Sequence, residues 1–379
     1  MKQRNPRGRS APAALATLAL ASAWSSIAVR AQTAPPPITV PSDDTAIAGP
    51  ATATAPTLTA AAAWLLRHQQ PDGRWTVTAD PEGNDQRDHN EICVTALAIR
   101  ALLPGLRNEG LPIARAVRRA AAFLAASQRP DGCFGPEDPF TMMFGHAHAL
   151  RALCAIQREW PDETRMQQIE RGVEWALQAQ NPYAGWRYTP KCGDNDSKIT
   201  ATMLLALRDC QALGVKIGDR AFALGQLLLD QLRAPNTGRT GFTKQGETMS
   251  RFTSKKAAFP GELSEEPTAL HLLVDAAAGK TLEAPERALG VALVAALPPE
   301  WDAAAGSIDL AYWQSGAELM QLVGGREARL WRAKLHAALL PNRIDTGGLA
   351  HWPAVDAWSH PGMEAYTTAS AMLALRSLP

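Results

Sequence analysis

From Leu58 to the C-terminus, apolar residues recur at three- and four-residue spacing in helix-length stretches. Polar segments rich in Gly and Pro separate them. This period predicts amphipathic helices, and no sustained two-residue alternation bounded by hairpin turns interrupts it. The most apolar stretches share a register in which a small residue or His precedes Ala: Thr95-Ala96, His146-Ala147, Thr200-Ala201, Thr268-Ala269, Gly316-Ala317 and Thr368-Ala369. The copies lie 48 to 68 residues apart, the spacing of a repeated supersecondary unit.

A second signal precedes the early copies. Trp64 is followed by Gln69, Pro71-Asp72-Gly73 and Trp75; Phe123 by Gln128, Pro130-Asp131-Gly132 and Phe134; Trp175 by Gln180, Asn181-Pro182, Gly185 and Trp186. This pattern reads as a helix end. Pro and Gly stop the helix and reverse the chain, the later aromatic packs over the end, and the Gln amide satisfies stranded backbone groups. Later copies decay to Gly241-Phe242 and to Gly348 and Trp352 after Asn342, and the fifth has no recognisable turn. Each unit therefore predicts an outer helix, a Gly turn, a loop and an inner helix. Thr200 to Leu207 is apolar as an inner helix should be, whereas Glu163 to Gln178 carries Arg165, Glu170, Arg171 and Glu174. Six consecutive helix pairs close into an all-α (α/α)6 toroid.

The N-terminus departs from this pattern. Lys2, Arg4, Arg7 and Arg9 precede an Ala/Leu-rich stretch ending at Val29-Arg30-Ala31, which reads as a cleaved signal peptide over residues 1–31. An uncleaved anchor is the alternative, and secretion or a periplasmic location follows from the first reading. Residues 32–57, rich in Ala, Thr and Pro, read as a linker, leaving 58–379 as the barrel domain. The 379 residues carry 38 Lys+Arg against 37 Asp+Glu, so the net charge of +1 excludes a broad electrostatic pull toward nucleic acid. Five cysteines are too few for a disulfide scaffold.

The Gln…Gly-x-Trp units resemble the QW repeats of the squalene cyclase and protein prenyltransferase superfamily, over Leu58 to Pro379. The segment Met143 to Leu207 most resembles a secreted single-domain branch of it. The resemblance implies a toroid with a central cavity opening where the inner helices begin. In the family's cyclases a DxDD motif protonates an isoprenoid double bond or epoxide. Asp194-Asn195-Asp196-Ser197 resembles that motif, with Asp196 in the acid position, Asp194 as the carboxylate that keeps it protonated, and Ser197 in place of the last Asp. Trp186, Tyr188, Tyr312, Trp313 and Tyr366, with His146, are the matching substrate-binding candidates near that rim. The same Asp/Asn/Ser run also reads as a plain helix N-cap. The prenyltransferase zinc ligands are not reproduced: Ala311 stands where Cys is expected after Asp309, and Ala365-Tyr366-Thr367 where His is expected.

Other constellations stay open. His89, Glu91 and Cys93, then His146 and His148, then Cys192, Asp194 and Asp196 precede or begin successive inner helices. They offer a weak metal set drawn from His89, Cys93, His146 and Cys192. Cys133 and Cys192 are candidates for pairing, while Cys154 and Cys210 read as small core residues. Glu262, Glu265, Glu266 and Asp309 supply carboxylates suited to glycoside chemistry, or simply an acidic helix start. Gly238 to Gly261, with Lys244, Arg251, Lys255 and Lys256, reads as a solvated loop or a lid. Three functions follow: an acid-initiated isomerase or cyclase for an apolar isoprenoid-type ligand without a cofactor; a non-catalytic toroid binding a small apolar molecule or a protein partner; and a carbohydrate-active enzyme. Membrane contact is expected only through the N-terminal segment or a lipid ligand.

Overall fold

The computed structural model describes residues 51–76, 90–106, 110–359 and 363–378. Every described residue belongs to one unit, which starts at Asp44. The segment read as a signal peptide, most of the expected linker, and His89 lie outside the described residues.

Among the described residues twelve α-helices alternate in position. The outer set is α1 (Ala51–His68), α3 (Leu111–Ala126), α5 (Glu163–Ala179), α7 (Asp219–Leu232), α9 (Pro285–Ala296) and α11 (Gly325–Leu339). The inner set is α2 (Glu91–Leu102), α4 (Met142–Glu159), α6 (Ser197–Gln211), α8 (Glu266–Ala277), α10 (Leu310–Val323) and α12 (Glu364–Ser377). Each inner helix packs on the next, and α12 packs back on α2, so the ring closes as an (α/α)6 toroid. Side chains near the inner-helix starts meet one another, as do those near the ends, so the six run parallel. No helix among the described residues is long and apolar enough to cross a membrane.

Helix α1 begins at Ala51, inside the stretch read as linker. Its early turns carry buried Thr54 and Thr57, and the Thr57 hydroxyl donates to Ala53 O at 2.8 Å, so this Ala/Thr run packs despite Pro56. One short hairpin, β1 (Ile344–Thr346) with β2 (Leu349–His351), is antiparallel around Gly347 and Gly348, which have φ of +59° and +80°. It packs on α1 where the last repeat meets the first, with Trp64 stacked on His351 at 5.0 Å.

The repeat motif has a specific mechanical role. Gln69 Nε2 donates to Gly73 O and to Ala116 O, both at 2.8 Å, which ties its turn to α3. Gln128 Nε2 does the same with Gly132 O and Gln168 O, and Gln180 Nε2 with Ala184 O and Ala221 O. The next outer helix returns a guanidinium to the amide oxygen, from Arg119 to Gln69 and from Arg171 to Gln128. The turn tryptophans close the preceding helix end: Trp75, Trp186 and Trp352 donate Nε1 to Leu65 O, Ala176 O and Leu339 O. The inner-helix register explains itself here. The backbone N–H of Trp75, Trp186, Thr240 and Trp352 donates to the hydroxyl of Thr95, Thr200, Thr268 and Thr368. In the second repeat His146 Nδ1 takes that role for Phe134 N at 3.2 Å. In the fifth, Gly316 leaves room for the Trp331 ring, which donates to Val294 O instead.

The thiols do not pair as Cys133 with Cys192: Cys133 is buried, Cys192 is exposed, and both are free. Cys154 and Cys210 meet across α4 and α6 with their sulfurs 3.4 Å apart, inside the core. Nor is the segment Gly238 to Gly261 a solvated loop throughout. Met249, Arg251 and Phe259 are buried, and Lys255 Nζ donates to Ser359 O at 2.8 Å.

Turn glycines sit against the neighbouring outer helix. Gly132 has φ +97°, and a Cβ there would lie 2.4 Å from Arg171 O. Gly193 has φ +84° but open space around it. Gly132→Ala is expected to cost on the order of 3 kcal/mol or more in denaturant unfolding, against about 1 kcal/mol for Gly193→Ala. Equal losses would show that the contact with α5 does not matter.

Candidate functional site

The starts of the inner helices converge on a buried, charged and aromatic rim. Lys198, the second residue of α6, places Nζ 2.9 Å from Glu266 Oε2 at the start of α8. Its ammonium sits 3.5 Å from the ring centroid of Trp358 and 5.4 Å from that of Phe144. Asp309 caps α10 by accepting from Tyr312 N at 3.0 Å, and it also accepts from Trp358 Nε1 at 3.0 Å. Its second oxygen meets Arg251 Nη2 at 2.7 Å, with both side chains 1% exposed. Asp356, on the loop before α12, accepts from Leu310 N, Ser359 N and the Tyr366 hydroxyl.

Burial dominates the electrostatics of this rim. It pushes Glu266 up to about 7, with Lys198 opposing and the charge of Asp309 adding to the rise. Burial also raises Asp356, and it lifts the Tyr366 phenol well above its usual range. The Cys93 thiol, turned toward the same charges, is pushed up to about 12. Asp309 is the exception: burial works to raise it, but Arg251 and Lys198 hold it below the ordinary value.

Asp196 caps α6. Its Oδ1 accepts from Ile199 N at 2.7 Å, so the N-cap reading is correct. The cap uses one oxygen. The other, Oδ2, is buried without a hydrogen-bond partner, and Arg187 Nε stands off at 3.8 Å. Burial pushes Asp196 up to about 6, against the pull of the Ile199 N–H and of Arg187. The Arg187 guanidinium lies over Tyr188 at 4.8 Å, and Tyr188 faces Phe140 at 6.0 Å. The rim thus holds two carboxyl groups, Asp196 and Glu266, whose proton affinity burial raises, beside ring faces oriented toward positive charge.

The predicted site residues divide. Asp196, Tyr188 and Tyr366 lie at the rim. Asp194 does not support Asp196: it is exposed, and its carbonyl accepts from Asn181 Nδ2. Trp186, Tyr312 and Trp313 are buried in the wall, where Trp186 serves its turn and the Tyr312 hydroxyl donates to Leu297 O at 2.7 Å. His146 is also a wall residue. Its Nε2 meets Gly172 O at 3.0 Å, and burial lowers it to about 3. Among the described residues the expected metal set does not assemble: His146 has both nitrogens engaged, Cys93 is buried at the rim and Cys192 is exposed. Of the acidic candidates, Glu266 and Asp309 reach the rim, Glu265 is taken by Arg239 and Thr268, and Glu262 is exposed.

Sequence reasoning missed Lys198, Arg251, Asp356 and Trp358. The one available signal was a lysine in the first turn of an inner helix, ahead of its apolar run Met203 to Leu207. It also missed Asp230, His271 and Asp275, whose ligand atoms lie within 4.8 Å of one another. Their charge is already matched: Arg233 Nη2 reaches Asp275 and His271, and Lys280 Nζ lies 2.9 Å from Asp275. That cluster is a partly buried ion network in the fourth repeat, with Asp230 at its exposed edge.

No family model matches the chain. A drimenyl diphosphate synthase of Streptomyces showdoensis is 28% identical over 132 residues, which is 34% of this chain and 22% of the synthase. The chain therefore matches about a fifth of that relative's length. Among solved structures, a variant of the type II terpene cyclase MstE from Scytonema, with its product merosterolic acid A, superposes with a TM-score of 0.60 at 15% identity, covering 86% of this chain and 97% of that one. A cellobiose 2-epimerase from Spirochaeta thermophila gives 0.59 at 12% identity, covering 86% and 96%. An inactive α-1,6-mannanase variant from Salegentibacter, with mannotriose, gives 0.53 at 9%, covering 86% and 98%. At these identities the likeness establishes the toroid, which hosts cyclase, epimerase and hydrolase chemistry alike.

The raised Asp196 makes a prediction about stability. Folded Asp196 holds its proton up to about 6 instead of 3.8. Its contribution is thus present below the ordinary carboxylate range and is lost as pH rises through about 6. Asp196→Asn keeps the cap and mimics the protonated form. Relative to wild type it is expected to gain on the order of 2–3 kcal/mol between pH 4 and pH 7 in denaturant unfolding. A pH-independent difference would show an Asp196 that ionises normally.

Proposed function

We propose that the rim is the active site of an acid-initiated isomerase or cyclase acting on an apolar, isoprenoid-type ligand, with Asp196 as the proton donor. The observation that carries this reading is Asp196 Oδ2, an unpartnered carboxyl oxygen inside the fold on a group raised to about 6. A capped carboxyl of this kind is oriented by Ile199 N and keeps one oxygen for chemistry. Proton transfer from Oδ2 to a carbon–carbon double bond would leave a carboxylate facing the Ile199 N–H and Arg187. The carbocation formed would be stabilised chiefly by the carboxylate left on Asp196, since the rings of Tyr188 and Trp358 already face Arg187 and Lys198. Attack by a second double bond closes a ring, and loss of a proton ends the sequence. The partial likeness to a drimenyl diphosphate synthase and the likeness to MstE, whose ligands include geranylgeranyl dihydroxybenzoate, support the substrate class. The same reading takes residues 1–31 as a cleaved signal peptide, with the chemistry carried out in a secreted or periplasmic protein.

A second reading rests on Glu266 and Asp309. One is raised to about 7 and the other held ionised, both at the rim with Trp358. Such a split suits acid and base roles on a sugar. The epimerase and mannanase likenesses favour this over a purely binding toroid.

The full chain, incubated with farnesyl and geranylgeranyl substrates, should yield cyclised products detectable by mass spectrometry. Asp196→Asn should lower turnover about a hundredfold or more with an unchanged circular dichroism spectrum. Turnover that survives in Asp196→Asn overturns the assignment. Turnover of mannans or cellobiose that is instead lost in Glu266→Gln would establish the second reading.

A further inference from the structure

The opposite mouth of the ring, where the inner helices end, carries an excess of positive charge. Arg151 Nε pairs with Asp209 Oδ2 at 3.1 Å, and Arg158 Nη2 shares the same carboxylate at 3.1 Å. Arg100 reaches Glu318 at 3.5 Å, a carboxylate that also accepts from Gln314 Nε2. Arg208 has no carboxylate: Nη1 donates to Gln211 Oε1, and its guanidinium lies 3.9 Å from the centroid of Phe222. Three of these four guanidiniums therefore share two carboxylates, and the fourth has none among the described residues. Among the described residues the Arg100 Nη1 donor and the ring nitrogen His148 Nδ1 are buried in this interior without a hydrogen-bond partner. Arg100 is pulled down to about 10, by burial first and by the charge of Arg151 second. His148 is held neutral by burial and by the charges of Arg100, Arg151 and Lys198. A cleft of about 390 Å³ opens here between α4, α6 and α8, lined by Arg151, Leu205, Arg208, Asp209, Gln211 and Ala277 among others.

We propose that this cleft binds the anionic head group of a ligand, a diphosphate or a carboxylate, through Arg151 and Arg208. Planar guanidiniums suit both groups because each offers parallel N–H donors to paired oxygens. Asp209 competes for the same donors and holds them in place when the cleft is empty of anion. The surplus charge draws a second anion in, and Arg208 turns from Gln211 to meet it. The proposal rests on the isoprenoid reading only for the nature of the tail, since anion binding is measured without turnover.

The test is calorimetric titration of the full chain with inorganic pyrophosphate and, separately, with decanoate, with sodium chloride at equal ionic strength as the blank. Saturable one-to-one binding of either is expected, and which one binds identifies the head group. Arg208→Gln, whose guanidinium makes no ion pair, should weaken binding about tenfold or more. Asp209→Asn should tighten it by freeing Arg151 and Arg158. If the arginines instead only neutralise the negative ends of the inner helices, neither probe will saturate, or binding will be equal in wild type, Arg208→Gln and Asp209→Asn. Either result overturns the proposal.

Discussion

Three carboxamides hold the first half of this toroid in register. Each leaves the last turn of an outer helix and spends its two N–H donors on two separate backbone carbonyls, one in its own turn and one on the next outer helix. A net hydrogen bond of this sort contributes only about 1 kcal/mol, but the geometry it fixes is worth more than the sum. Because Gly73 and Gly132 lie directly on the following helix backbone, the amide sets how close successive outer helices stand. The Thr or His acceptor then ties each turn to its inner helix. Asn342, one methylene shorter, returns its donor to Ala338 O in its own helix. The hairpin on α1 supplies the join there instead.

The rim inherits its chemistry from this placement. Six parallel inner helices bring their starts together, so capping carboxylates arrive in a confined space and must find cations or hold protons. Asp309 and Asp196 occupy the same cap position in different repeats. Arg251 reaches Asp309 at 2.7 Å, whereas Arg187 stays 3.8 Å from Asp196. That difference of an ångström leaves one carboxylate ionised and the other raised.

The ring was legible in the sequence because periodicity and helix-stop chemistry are local. The Gln-Gly-aromatic turns needed no long-range information, and the cap at Asp196 followed from residue type alone. The rim was less legible. Lys198 was in view, but its partner Glu266 and its ring Trp358 come from distant repeats. Arg251 and Asp356 sit on irregular loops whose course no periodicity describes. Trp186, Tyr312 and Trp313 read as rim residues because they lie near inner-helix starts, yet Trp186 packs over the preceding helix end and the positions of Tyr312 and Trp313 on α10 turn them into the wall. His146 looked like a ligand-binding residue and instead replaces a threonine, a substitution visible only once the turn N–H it accepts from is known.

The seam between α12 and α2 has a temporal consequence. The first inner helix cannot be covered until α12 has been made, since α12 is its second neighbour. Until then the apolar flank of α2 and the charges of Lys198 and Glu266 stand in a half-built arc, open to water and to other chains. Contacts of such long sequence separation form late, and partly assembled arrays are prone to associate. A chain that has not yet made α12 is therefore an unsealed arc, and Glu364–Ser377 acts as its clasp.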